Sequence, residues 1–339
     1  PSGDLRVNVE MNTSNANTDP NGTGDSADLA LNEVGANTTN GVKSTGVAAY
    51  VVTKLDSTSG VTNNFFVCND TVGLETLGLQ GNGGGTINFA GIKWGVNFVM
   101  EGDGVVDWTE VEKTDTSYNI SNIGALVADY FVPGATAVVN INNQGKVLGA
   151  ATNGERKLLV DGVTINDAAA ITINVADGDA TITTVGGDVA KSLTLTAVED
   201  LVITNALTTV LTTIDATGVV GAFAAQLNDM GTAFTLNTGA NATITLNGVT
   251  ADAGTVIDGA GTLNLIVKDV TVTGVTTVTD LSKATIGVDT IKIAADSGLT
   301  LNAAQVATLT EANISGTVEA SSNTKEVLNI NDLGGQARS

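Results

Sequence analysis

Apolar and Thr/Asn residues alternate with a period of two through most of the second half of the chain, most strongly over residues 193–273. The runs include Leu193-Thr194-Leu195-Thr196, Leu201-Val202-Ile203-Thr204, Phe234-Thr235-Leu236-Asn237, Ala242-Thr243-Ile244-Thr245-Leu246 and Val270-Thr271-Val272-Thr273. That period places the apolar residues on one face of a strand. Between the runs lie clusters such as Asn237-Thr238-Gly239-Ala240-Asn241 and Asp258-Gly259-Ala260-Gly261, which supply the positive-φ positions of sharp turns. Two stretches are expected as short helices instead: residues 222–227, and residues 302–309 with Asn302 as N-cap.

The pattern divides the chain into three parts. Residues 1–45 hold one strand, Leu5 to Glu10, followed by a polar loop over 12–41; the isolated strand is suited to add to a neighbouring subunit. Residues 46–150 carry most of the aromatics and read as a β-rich globular domain, with strands at 47–52, 64–68, 86–89 and 94–99. Within it, residues 123–131 fit either a short helix or a buried strand. Residues 149–154, small and polar, form the expected linker into a Thr/Val-rich repetitive domain, 151–339. Here Val198-Glu199-Asp200-Leu201-Val202-Ile203-Thr204 is echoed by Val267-Lys268-Asp269-Val270-Thr271-Val272-Thr273. The fold expected is mostly β: an N-terminal β-rich unit, then an elongated β-solenoid or β-sandwich region.

Composition narrows the chemistry. Hydrophobic residues make up 42% of the 339 but aromatics only 4%, so the core must come from Val, Ile, Leu, Ala and Thr methyl groups. Acidic residues number 36 against 14 basic, a net charge of −22. That field repels nucleic-acid phosphates and anionic membrane surfaces. It attracts cations, calcium foremost among partners of oxygen ligands, or simply keeps a Thr/Val-rich surface soluble. With no histidine, the chain lacks the commonest general base and transition-metal ligand. The single cysteine, Cys68, excludes an intrachain disulfide framework and a multi-cysteine zinc site. No apolar run of about 18 residues is present, so no helical membrane span is expected. The start at Pro1 fits a processed mature form or a fragment.

Two segments have the spacing of a calcium loop. In the first, Asn17, Asp19, Asn21, Asp25 and Asp28 fall at positions 1, 3, 5, 9 and 12, with Gly22 at 6. In the second, Glu101, Asp103, Asp107 and Glu110 fall at positions 3, 5, 9 and 12 around Gly104; a Gly-rich turn with solvated acids is the alternative. Gly81-Asn82-Gly83-Gly84-Gly85 is a turn and no phosphate loop, since the Gly-Lys-Ser/Thr ending is missing. Paired acids could in principle act as catalysts, but Glu199 and Asp200, adjacent on a strand, point to opposite faces and do not converge on one bond.

The stretches Ser192-Leu193-Thr194-Leu195-Thr196-Ala197-Val198-Glu199-Asp200, Leu211-Thr212-Thr213-Ile214-Asp215-Ala216-Thr217-Gly218 and Leu299-Thr300-Leu301-Asn302-Ala303-Ala304-Gln305-Val306 resemble bacterial surface-layer proteins and related large secreted surface proteins. The resemblance covers the chain from Leu158 onward and implies a β-rich, often calcium-bound subunit that assembles on the cell exterior. The Gly-Gly-x-Gly-x-Asp nonapeptides of many such proteins are missing. The expectation is therefore an extracellular, self-assembling structural protein without catalysis. Its partners would be further copies of itself and, for attachment, cell-surface polysaccharide, with Ca2+ as a bridging ion. The alternatives are a viral fibre or decoration protein, a surface adhesin, and, behind these, a polysaccharide-acting β-solenoid enzyme.

Overall fold

The computed structural model describes residues 5–10, 26–29, 47–54, 62–66, 74–81, 85–92, 96–102, 119–130, 134–142, 156–176, 178–207, 209–239, 241–308, 314–316 and 327–331. The chain divides into two compact units, Pro1–Ala190 with Ala197–Glu199, and Lys191–Thr196 with Asp200–Ser339. The regular secondary structure among the described residues of both is β-strand, with one short helix in the second.

The first unit contains β1 (Leu5–Glu10), β2 (Ser26–Leu29), β3 (Val47–Lys54), β4 (Thr62–Phe66), β5 (Thr76–Gly81), β6 (Thr86–Ile92), β7 (Asn97–Gly102), β8 (Asn119–Asn122), β9 (Ala125–Tyr130), β10 (Ala135–Asn142), β11 (Arg156–Val160), β12 (Gly162–Asn166), β13 (Ala168–Val175), β14 (Asp179–Ile182) and β15 (Val185–Gly186). They lie in three ladders: β1-β3-β5-β7-β10-β13, β2-β4-β6-β9-β12-β15 and β8-β11-β14. The pairings are parallel, for example β10 with β13 and β11 with β14. A parallel pair needs a long crossover, and here a strand on another ladder supplies it. From β7 onward the chain visits the three ladders in turn, one coil after another. This is a solenoid-like fold. A sandwich would pair its strands antiparallel.

One expectation resolves within this unit. Residues 125–130 are strand, because Leu126, Ala128 and Tyr130 alternate inward while Ala125, Val127 and Asp129 are half-exposed. β1 pairs in parallel with β3 of its own chain, so one of its edges is used internally. Strands on either side of residues 149–154 also pair: β8 with β11, β9 with β12, and β10 with β13. Aromatics cluster in the interior of this unit. Phe98 on β7 lies 6.3 Å from Phe89 on β6 and 6.0 Å, edge to face, from Tyr130 on β9. The Tyr130 hydroxyl donates to the Val96 carbonyl at 3.4 Å, and burial pushes its pKa up to about 12.

The second unit contains β16 (Ser192–Ala197, its last residue grouped with the first unit), β17 (Leu201–Leu207), β18 (Thr213–Val219), β19 (Ala222–Asn228), β20 (Thr235–Thr238), β21 (Asn241–Asn247), β22 (Val256–Gly259), β23 (Thr262–Lys268), β24 (Val270–Val272), β25 (Val275–Thr277), β26 (Thr279–Asp280), β27 (Thr285–Gly287), β28 (Thr290–Ile293), β29 (Gly298–Asn302), α1 (Ala303–Thr308), β30 (Ile314–Gly316) and β31 (Val327–Asn331). Two parallel ladders, β18-β20-β22-β27 and β17-β19-β21-β23-β28-β30, alternate along the chain; β26-β29-β31 forms a third. Register partners step by 19 and 21 residues from Phe223 to Ala242 to Leu263 on one ladder, and by 22 and 21 from Ile214 to Leu236 to Ile257 on another. Like residues therefore stack. Ala225, Ile244, Leu265 and Ile291 form one such column, and Leu227, Leu246, Val267 and Ile293 the next. All of these are buried, each large aliphatic side chain contributing about 1.5–3 kcal/mol.

Residues 222–227, expected as a helix, are strand β19. The Ala-rich stretch has helix propensity, but Phe223, Ala225 and Leu227 fit the inward column between β17 and β21, and packing overrides propensity. The second expected helix is present as α1. Gln305 N–H donates to the Asn302 Oδ1 at 2.9 Å, and Asn302 N–H donates to the Gln305 Oε1 at 2.8 Å, a reciprocal capping box. Val270 to Thr273 is also strand at its start, but in an antiparallel hairpin, β24–β25, with Val272 exposed.

Candidate functional site

The calcium-loop residues fall mostly beyond the described segments. Asn17, Asp19, Asn21, Asp25, Asp103, Asp107 and Glu110 lie outside the described residues. Asp28 sits on β2, in register with Asn64 of β4. Glu101 is buried on β7, in register with Gln80 of β5 and Asn142 of β10. Asp28 and Glu101 thus belong to different ladders of the first unit. Among the described residues, no three His, Cys, Asp or Glu side chains gather where they could hold a metal ion.

The polar side chains that are placed act between coils. Asp carboxylates at coil corners accept backbone N–H groups from a neighbouring coil. Asp188 accepts from Asp167 at 2.8 Å in the first unit. In the second, Asp200 accepts from Ala222 at 2.6 Å, Asp289 from Leu263 at 2.8 Å and Asp269 from Gly298 at 2.9 Å. At each of these points a strand begins and its first donors need partners. A charged acceptor makes the stronger bond. Asp229 and Asp280 close local turns in the same way, to Gly231 and Ser282, while Asp215 accepts from Thr217 N–H within β18.

This reassigns the pair Glu199 and Asp200. They stand in the exposed bend before β17, not on a strand, and Asp200 is a corner acceptor. The sequence held a signal for it. The two segments that echo each other contain Asp200 and Asp269 at equivalent places, and both do this job.

Outward polar residues repeat in register as well. Asn174 donates to Asn140 at 3.0 Å, Asn166 to Asp129 at 2.7 Å, Asn247 to Asn228 at 3.2 Å and Thr290 to Asn264 at 2.5 Å. Each pair consists of direct register partners on adjacent parallel strands. A slip of one residue would break these bonds and turn every apolar side chain outward. Gln226 does related work, donating at 2.6 Å to the Thr204 carbonyl inside the irregularity of β17. Gln305, missed as a polar core residue, is buried and donates to the Leu281 and Ala284 carbonyls, each at 2.7 Å. Chemically, the arrangement joins coil to coil.

No protein-family model matches the chain, and no curated protein or solved structure does either.

Proposed function

We propose that the chain is a structural, self-assembling subunit of a bacterial surface layer or extracellular filament, without catalysis of its own. One observation carries the reading: the placed polar side chains, Asp at the corners and Asn/Thr along the faces, bond from one coil to the next. Such a molecule is built for a rigid, repetitive surface. Solenoid ends are strand edges, and an edge offers a row of N–H and C=O groups to another chain. β1, paired on one side with β3, is such a strand at the end of its ladder. The exterior location and bridging by calcium belong to the same proposal. They rest on the −22 net charge and on the resemblance to surface-layer proteins.

Negative-stain electron microscopy of the purified chain, with calcium and again with excess chelator, tests the reading. Ordered layers or filaments are expected, and their dissolution on chelation would support calcium bridging through Asp19, Asp25, Asp103 and Asp107. Assemblies indifferent to chelator would retain the structural role and remove calcium from it. Discrete particles in both conditions would refute self-assembly.

A further inference from the structure

We propose that the hairpin β24–β25 is a self-association element that pairs with the same hairpin of a second copy of the chain. The hairpin is an excursion from a coil that closes without it. Gly248 N–H donates to the Lys268 carbonyl at 2.7 Å, and Asp280 N–H donates to the Val249 carbonyl at 2.8 Å. Two consecutive residues of one coil thus bond to residues of the next that are separated by the whole hairpin. The register shows the same thing. Leu236 pairs with Ile257, and Ile257 with Ile286. The second of these steps is longer than the first by the length of the segment 270–277.

Its turn is built tightly. Thr273 and Gly274 both have positive φ, 50° and 82°, giving the two-residue turn whose twist suits a hairpin. A β-branched residue in that region is strained. The base rests on Gly248, where an added Cβ would lie 3.2 Å from the Val270 Cβ. Beyond the base, residues 271–277 are exposed, with Val272 at 62% and its register partner Val275 at 67%. Thr271 and Thr276 share a hydroxyl hydrogen bond at 2.9 Å across the hairpin.

The occupant follows from what the hairpin lacks and what it offers. Residues 270–277 contain no aromatic to stack on a sugar and no charge to recognise an ion or a charged polymer. They offer β-branched side chains and strand edges, which fit another β edge. On a chain of net charge −22, an uncharged segment is where a second copy approaches with least repulsion. One short hairpin a side buries less than the roughly 800 Å² per partner of a standard interface, so the pairing is weak and concentration-dependent. The inference rests on the reading of the chain as a self-assembling subunit.

Full-length protein carrying Cys68→Ser and Val275→Cys should form a disulfide-linked dimer on mild oxidation. The control, Cys68→Ser with Val220→Cys, places its thiol at a site 70% exposed and should remain monomeric. Sedimentation of the unmodified chain should show mass rising with concentration. Val272→Lys/Val275→Lys should hold it at the 34.0 kDa monomer, and so should the milder Val272→Thr/Val275→Thr if the lysine variant fails to fold. Equal cross-linking of the two cysteine variants, or masses unchanged by the substitutions, would overturn the proposal. Layers or filaments that persist in the lysine variant would remove the hairpin but keep the structural role. Cross-linked dimers without ordered assembly would do the reverse.

Discussion

Replacing Gln305 by Ala is expected to open the region around α1 without touching any coil face. The Gln305 Oε1 accepts from Asn302 N–H, and its Nε2 donates to two carbonyls of the turn at residues 281–284. Losing half of the capping box costs about 1 kcal/mol. The Leu281 carbonyl keeps a second donor, Ala284 N–H at 2.9 Å. The Ala284 carbonyl has no such backbone donor among the described turns and loops, and stranding it costs about 1–3 kcal/mol. The combined loss of about 3 kcal/mol lowers local protection roughly 100-fold. Hydrogen exchange of the full-length protein is the right assay, because stacked coils can open piecewise and a single melting midpoint would average over them. Peptides covering 281–284 and 303–308 should lose protection while those covering β19 and β21 do not. Gln305→Glu keeps the acceptor but faces a carboxylate to two carbonyls, so it should be at least as damaging. Asn302→Ala combined with Gln305→Ala should cost less than the sum of the single changes, because the two residues share bonds. A Gln305→Ala effect below about 0.5 kcal/mol, the range of ordinary surface substitutions, would refute the reasoning.

Other expectations follow from single observations. Thr238 and Thr255 are fully buried with hydroxyls that make no hydrogen bond among the described residues, so Thr→Val at either should stabilise by about 1 kcal/mol in urea unfolding; a loss instead would mean the hydroxyl is satisfied in solution. An added Cβ at Gly239 would stand 2.7 Å from the Val219 carbonyl, so Gly239→Ala should cost about 1–3 kcal/mol by chemical denaturation. Asp200→Ala hands the exposed Ala222 N–H from a carboxylate to water, and should lose about 1 kcal/mol, seen as faster exchange at the start of β19. The Tyr130 pKa is raised, so the folded state holds its proton between pH 10 and about 12 while the unfolded state releases it. Stability from this group is complete below pH 10 and falls as pH rises through that window; Tyr130→Phe should flatten the slope, and an unchanged slope would assign it elsewhere.

The local rules were legible in the sequence. Period-two alternation marked β16, β21 and β23, whose inward sets, such as Ala242, Ile244 and Leu246, are those the pattern selects. Asn302 read as an N-cap because a cap needs only its own neighbours in sequence. Aspartates beside turns announced corners, although their acceptor role toward another coil did not show.

Whatever depends on which strand lies alongside was decided by tertiary structure. Alternation fixes a face but not a partner or a direction, so it could not separate parallel coils from a sandwich; the parallel ladders did. Residues 222–227 became strand because a place between two inward columns outweighs the helix preference of alanine. Val270 to Val272 shows the converse. Its pattern is as regular as that of Leu201 to Ile203, yet Ile203 is buried and Val272 exposed. The adjoining coil already closes through Lys268 and Asp280 without the hairpin, whose residues 271–277 stand exposed. A period can say which side chains share a face, and only the neighbouring coil determines whether that face meets protein or water.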